Sequence, residues 1–90
     1  MGVVMKEKAL EELRLWGRNG SKAKMRKIEK LLIDVGKHPT TGIGKPERLK
    51  HNLKGLWSRR IDRKNRMIYE IDEESSTVFI LSLIGHYERD

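Results

Sequence analysis

A single glutamate, Glu47, stands near the head of a run of nine cations: Lys45, Arg48, Lys50, Lys54, Arg59, Arg60, Arg63, Lys64 and Arg66. Only Asp62 joins it in opposing them, so this quarter of the chain carries a net +7, the same as the whole protein. Near the C-terminus a histidine, His86, is followed by Tyr87. These residue types are the parts needed to cut RNA. A carboxylate takes the proton from a 2′-hydroxyl, an imidazolium protonates the leaving 5′-oxygen, and cations hold the charge that builds on the phosphate in the transition state. Arginine offers phosphate a rigid fork of donors, and a histidine with a reference pKa of about 6.5 can carry a proton near neutrality. Each part has a plainer reading too. Glu47 after Pro46 suits a helix N-terminus, the arginines suit a solvated strand face, and His86 alone suits an idle surface position.

Composition removes most other chemistries. There are no cysteines, hence no disulfides, thiolate metal sites or cysteine nucleophiles, which fits a reducing cytoplasm. The three histidines, at 38, 51 and 86, share no ligand spacing with one another or with carboxylates, so neither a metal nor another cofactor is expected. No phosphate-binding glycine loop ends in Lys-Ser or Lys-Thr, and "GIG" at 42–44 opens no dinucleotide fingerprint. No apolar run is long enough for a signal peptide or a membrane span. With a pI near 9.9, the expected partner is an anion, RNA foremost.

The elements that must hold these residues read as helices first and strands afterwards. Ala9, Leu10, Leu13 and Trp16 share a helical stripe that Gly17 and the "NG" pair at 19–20 should stop, and residues 2–5 suit a short edge strand. Ser21 is placed to cap a second helix carrying Met25, Ile28, Leu31, Leu32 and Val35, with Gly36 at its left-handed end. A loop over 38–44 leads to a single helical turn after Pro46. "LWSRRI" and "RMIYEI" then flank a tight turn at 62–65, and "TVFILSLIGHY" supplies the third strand of a meander. Trp57 and Tyr69 belong to the core. Residues 1–90 thus read as one α+β domain, an N-terminal helical hairpin packed on one face of an antiparallel sheet. The other face stays open and carries the arginines of the hairpin.

The stretch "PTTGIGKPERLKHNLKGLWSRRIDRKNRMIYEI", with "HY" at 86–87, closely resembles the Txe/YoeB toxins of bacterial toxin–antitoxin pairs, within the RelE group. The likeness is near-continuous from Pro39 to Ile71, and the order of elements agrees over almost the whole chain. It implies a microbial RNase-like fold and a ribosome-dependent mRNA endonuclease that inhibits translation in the cytoplasm. It also implies control by a YefM/Axe-type antitoxin, contacts to ribosomal RNA, and the prospect of a homodimer. Position by position, Glu47 falls on the family's general base, Arg66 on the arginine that stabilises the transition state, His86 on the general acid, and Tyr87 on the tyrosine that stacks against or positions the substrate base. Lys50, with Lys45, Lys54, Arg59 and Arg60, falls among cations that line the RNA groove. The chain departs from the pattern with Arg48 in place of proline, Ile84 in place of a basic residue, and Glu88-Arg89-Asp90 after the His-Tyr pair. Two other functions stay open on the same scaffold: a ParE-like gyrase-binding toxin, and a non-catalytic RNA-binding module. The first does not need Glu47, Arg66 and His86 together, and the second calls for more stacking aromatics than the five present.

Overall fold

The computed structural model describes residues 1–85; the expected site residues His86 and Tyr87 lie outside the described residues. Strand β1 (Gly2–Met5) leads into helices α1 (Glu7–Asn19) and α2 (Lys22–Lys37). After the 38–44 loop come a two-residue strand β2 (Glu47–Arg48), a 3-10 turn (His51–Leu53), and strands β3 (Leu56–Arg60), β4 (Arg66–Asp72) and β5 (Thr77–Ser82). The sheet order is β1-β5-β4-β3-β2. Strands β2 to β5 form an antiparallel meander, and β1 adds to β5 in parallel at the far edge, a direction that the sequence pattern did not announce.

Both helices form for the expected reason and end a little later than expected. Ser21 caps α2, its Oγ accepting from the Lys24 N–H at 3.1 Å. Ala9, Leu13 and Trp16 of α1 face the core, whereas Leu10 is exposed at 39% and drops out of the stripe. Gly17 does not stop α1. A mid-helix glycine costs only about 1 kcal/mol relative to alanine, and the turn that contains it is held from outside, the Trp16 indole donating to the Leu83 carbonyl at 2.9 Å. Gly36 likewise lies inside α2. A Cβ there would sit 3.0 Å from Val3 Cγ2 and 3.2 Å from the Met1 carbonyl, so the glycine serves the close approach of β1 and not a left-handed cap.

The core forms where Ile28, Leu31 and Val35 of α2 and Ala9 of α1 meet Met67, Tyr69, Val78, Ile80 and Leu83. Each large side chain buried this way contributes roughly 1.5–3 kcal/mol of transfer free energy. Tyr69 is fully buried and Trp57 packs against it half-buried, as their alternation suggested. Glu47 lies in the short strand β2, which rules out its helix N-terminus reading; the one helical turn of this region begins four residues later, at His51. Among the described residues no helix is long and apolar enough to cross a membrane.

Candidate functional site

Strand parity decides which face each cation takes. Side chains alternate along a strand, and residues paired across strands share a face. Glu47 pairs with Ser58, Ser58 with Ile68, and Arg60 with Arg66, which puts Glu47, Ser58, Arg60 and Arg66 on the face turned from the helices. Arg66 Nη1 lies 3.4 Å from Glu47 Oε1 and 3.3 Å from the buried Ser58 Oγ. The Arg66 and Glu47 side chains are 25% and 49% exposed. A long, half-solvated pair of this kind holds together by less than about 1 kcal/mol, so an entering anion can open it. Arg60 stands exposed opposite Arg66. Lys45 is exposed two residues before Glu47, in a left-handed backbone conformation of φ +54°.

The end of β5 is tied to the same place. The Arg66 N–H donates to the Gly85 carbonyl at 2.8 Å, and the Gly85 N–H donates to Asn65 Oδ1 at 2.8 Å. Glu12 of α1 accepts from the Leu83 and Ile84 N–H groups through one oxygen, at 2.7 and 3.2 Å. The described chain therefore ends against Arg66, and the next residue in sequence is His86.

Arg59 does not line this surface. Its side chain is fully buried on the helix side, a correction to its place among the RNA-groove cations. Asp34 of α2 takes Nη1 at 2.6 Å, Tyr69 Oη takes Nε at 3.2 Å, and the carbonyls of His38, Thr41 and Ile43 take the remaining donors. Tyr69 Oη donates onward to the Pro39 carbonyl at 2.8 Å. This network gathers the 38–44 loop around one guanidinium. The hydrogen bond from Arg59 holds the Asp34 carboxyl below its ordinary pKa, and burial pushes the Tyr69 phenol above its own. The loop hands on its order: the Gly44 carbonyl accepts from the Arg60 N–H at 2.7 Å, just ahead of Lys45 and β2. Gly44, at φ +81°, has no room for a side chain, since a Cβ would lie 2.6 Å from Leu31 Cδ2.

Lys50 and Lys54 are exposed, but they border a separate cavity of about 530 Å³ that neither Glu47 nor Arg66 lines. The turn between β3 and β4 is built around Asp62, which takes the Lys24 ammonium at 2.6 Å and the Lys64 and Asn65 N–H groups at 2.9 and 2.7 Å. Burial pushes this carboxyl upward, yet the hydrogen bonds together outweigh it and bring its pKa down to about 2. Among the described residues no group of three or more His, Cys, Asp or Glu is arranged to hold a metal.

Sequence reasoning missed Ser58, Asp34 and Glu12. Ser58 was within reach, because a residue two places before Arg60 on one strand must share its face. Asp34 and Glu12 carried no local signal, since their partners lie 25 and 71 residues away.

Comparison with known proteins places the chain in a family and a fold. Residues 5–87 match the model of the YoeB-like toxins of bacterial type II toxin–antitoxin systems. Toxin YoeB of Escherichia coli K12 is 37% identical over 87 residues, covering 97% of this chain and 100% of that one. Among solved structures, a YoeB/ParE toxin from Agrobacterium tumefaciens superposes with a TM-score of 0.86 at 30% identity, covering 97% of this chain and all of the other. Staphylococcus aureus YoeB, solved as a dimer and in complex with YefM, gives TM-scores of 0.82 and 0.81 at 34% identity, covering 97% of this chain and 98% of each. With an α+β fold of helices against an antiparallel sheet, and sequence likeness over nearly its full length, the chain belongs to the YoeB-like toxins of bacterial type II toxin–antitoxin systems.

Proposed function

We propose that this protein is an endoribonuclease that cuts mRNA on the ribosome without a metal and so inhibits translation. The observation that carries the reading is the loose Glu47–Arg66 pair on the open sheet face, with Arg60 across from Arg66 and the exposed Lys45 two residues before Glu47 in the chain. An entering phosphodiester takes Arg66 onto its non-bridging oxygens and frees the Glu47 carboxylate. Glu47 then accepts the 2′-hydroxyl proton, the 2′-oxygen bonds to phosphorus, and the bond from phosphorus to the 5′-oxygen breaks. The leaving oxygen takes a proton from His86, while Tyr87 stacks against a substrate base. The products are a 2′,3′-cyclic phosphate and a 5′-hydroxyl. Arg66 acts chiefly on the transition state, because the phosphate gains charge there. The likeness to YoeB toxins supports the ribosome as the place of cutting, and translated mRNA puts the protein in the cytoplasm.

Its partner in the resting cell is a YefM-type antitoxin. The S. aureus relative solved with YefM supports this, as does a basic excess that an acidic, partly disordered segment would neutralise and that proteolysis could uncover. Primer extension on translated mRNA tests the enzyme reading. Cutting should persist in EDTA when polyamine keeps the ribosomes intact, and Glu47→Ala should slow it about a hundredfold with ribosome affinity unchanged. A Glu47→Ala chain that cuts at the wild-type rate would remove Glu47 from the general-base role, and a wild-type chain that does not cut would reduce this to a binding protein on a nuclease-like scaffold.

A further inference from the structure

Glu47 and Arg48 are neighbours on a two-residue edge strand, so their side chains leave it on opposite faces. Glu47 meets Arg66; Arg48 turns to a cavity of about 530 Å³ on the other side, within the size range of small-ligand sites. Its guanidinium lies 5.3 Å from the centre of the Trp57 ring, and Trp57 stacks in turn on Tyr69 with centroids 6.3 Å apart and planes 21° from parallel. Arg48, Trp57 and Tyr69 thus follow one another in series, with Arg48 and Trp57 at the cavity. Lys50, His51 and Lys54 line the same space, and Glu73 is the only acid among its lining residues. The described residues give Arg48, Lys50 and Lys54 no ion-pair partner. His51 holds a left-handed conformation of φ +60°, an arrangement that costs about 1 kcal/mol or more and clusters at ligand clamps. The turn it starts closes through its own carbonyl, which accepts from the Lys54 N–H at 3.0 Å.

We infer that this cavity is a nucleotide subsite: it binds the base and phosphate of a nucleotide next to the one cut at Glu47, on the same single-stranded RNA. The inference rests on the RNA-cleaving reading above. The base stacks on the Arg48–Trp57 platform, since unpaired RNA bases are held on guanidinium and aromatic planes. The phosphate lies among Lys50, His51 and Lys54. The strand reaches both faces by crossing the sheet at β2, beyond which the described residues place no further strand. An acidic peptide would use the charges but leave the stacked planes without a purpose, which is why RNA is the occupant the site favours. The subsite makes cutting depend on the neighbouring base, and it assigns Lys50 and Lys54 to holding the flanking nucleotide and not the scissile phosphate.

The test is an NMR titration of the full chain with a 2′-O-methyl RNA hexamer, which cannot be cut because its 2′-oxygens are blocked. The Trp57 indole N–H and the amides of residues 48–54 should shift. Arg48→Ala should weaken binding about tenfold, the scale of one stacked base. Lys54→Glu, a change at an exposed position, should weaken it severalfold and flatten its salt dependence, which keeps the test usable if Arg48→Ala loosens the fold. On translated mRNA, Arg48→Ala should raise KM and alter the preference for the flanking base with kcat little changed. Shifts confined to the Glu47–Arg66 face overturn the subsite. So does a poly-glutamate decapeptide that shifts the amides of residues 48–54 where the RNA hexamer shifts none, which makes this a peptide site. The titration reads binding without cleavage. A wild-type chain that does not cut translated mRNA therefore removes the enzyme reading alone, and a silent cavity in a wild type that cuts removes the subsite alone.

Discussion

Two arginines of the same hairpin each face a carboxylate, and the outcomes are opposite. Arg59, on the helix side, is fully buried, with Asp34 at 2.6 Å and every donor of its guanidinium engaged. Arg66, on the open side, is a quarter exposed and reaches Glu47 only at 3.4 Å. The first pair is built into the fold and has nothing left to offer a ligand. The second keeps its donors and its carboxylate available. Burial and saturation, not residue type, separate a structural ion pair from a reactive one.

That contrast can be broken by exchanging the consequences of mutation. The largest effect should come from Arg59→Ala, which strands the Asp34 carboxylate and several loop carbonyls. Unfolding in urea should show a loss of roughly 3–5 kcal/mol. A loss below 1 kcal/mol would mean that the buried network is not what orders the 38–44 loop. Glu47→Ala should do the reverse. Cleavage should fall about a hundredfold, near 2.7 kcal/mol of transition-state stabilisation, while the urea midpoint stays within experimental error.

A third effect concerns acid. The Asp62 pKa falls from 3.8 to about 2 on folding, so its contribution is complete above pH 4 and fades as the pH drops toward 2. That contribution is about 2 kcal/mol by linkage. Denaturation curves of wild type and Asp62→Asn should converge over this window. A difference that is constant with pH would sink the assignment to the titrating carboxylate. The smallest effect belongs to the open face. Arg60→Ala should leave stability unchanged, weaken RNA binding a few-fold, and lower the slope of affinity against salt by about 0.7. An unfolding penalty at Arg60 as large as that at Arg59 would erase the distinction between the two faces.

How much of this was legible beforehand depends on the range of the interaction. Ser21 caps its helix through a contact three residues away, and the turn at 62–65 is closed by Asp62 on its own neighbours; both could be read from composition and spacing. Glu47 and Arg66 were singled out by residue type and resemblance, but only the pairing of β2 with β3 and of β3 with β4 brings them to one face. Helix ends were less legible, because Gly17 and Gly36 sit at positions where a local stop signal yields to packing by Trp16 and β1. Arg59 was misread for a related reason. Neighbouring arginines look equivalent in a list of cations, yet strand parity sends one inward and one outward.

The sequence by itself determined the class of the fold, the sign and location of its charge, and the family to which the chain belongs. These follow from periodicity, turn residues and a long ordered motif, all of them properties of the chain near itself. Only the tertiary structure decided which cations meet which carboxylates. It buried Arg59 against Asp34 across 25 residues, set Arg66 against Glu47 across 19, and parted Glu47 from Arg48 onto two faces of one strand. The physical reason is that an ion pair's strength depends on separation and desolvation, and both are fixed by packing between elements that no local pattern records.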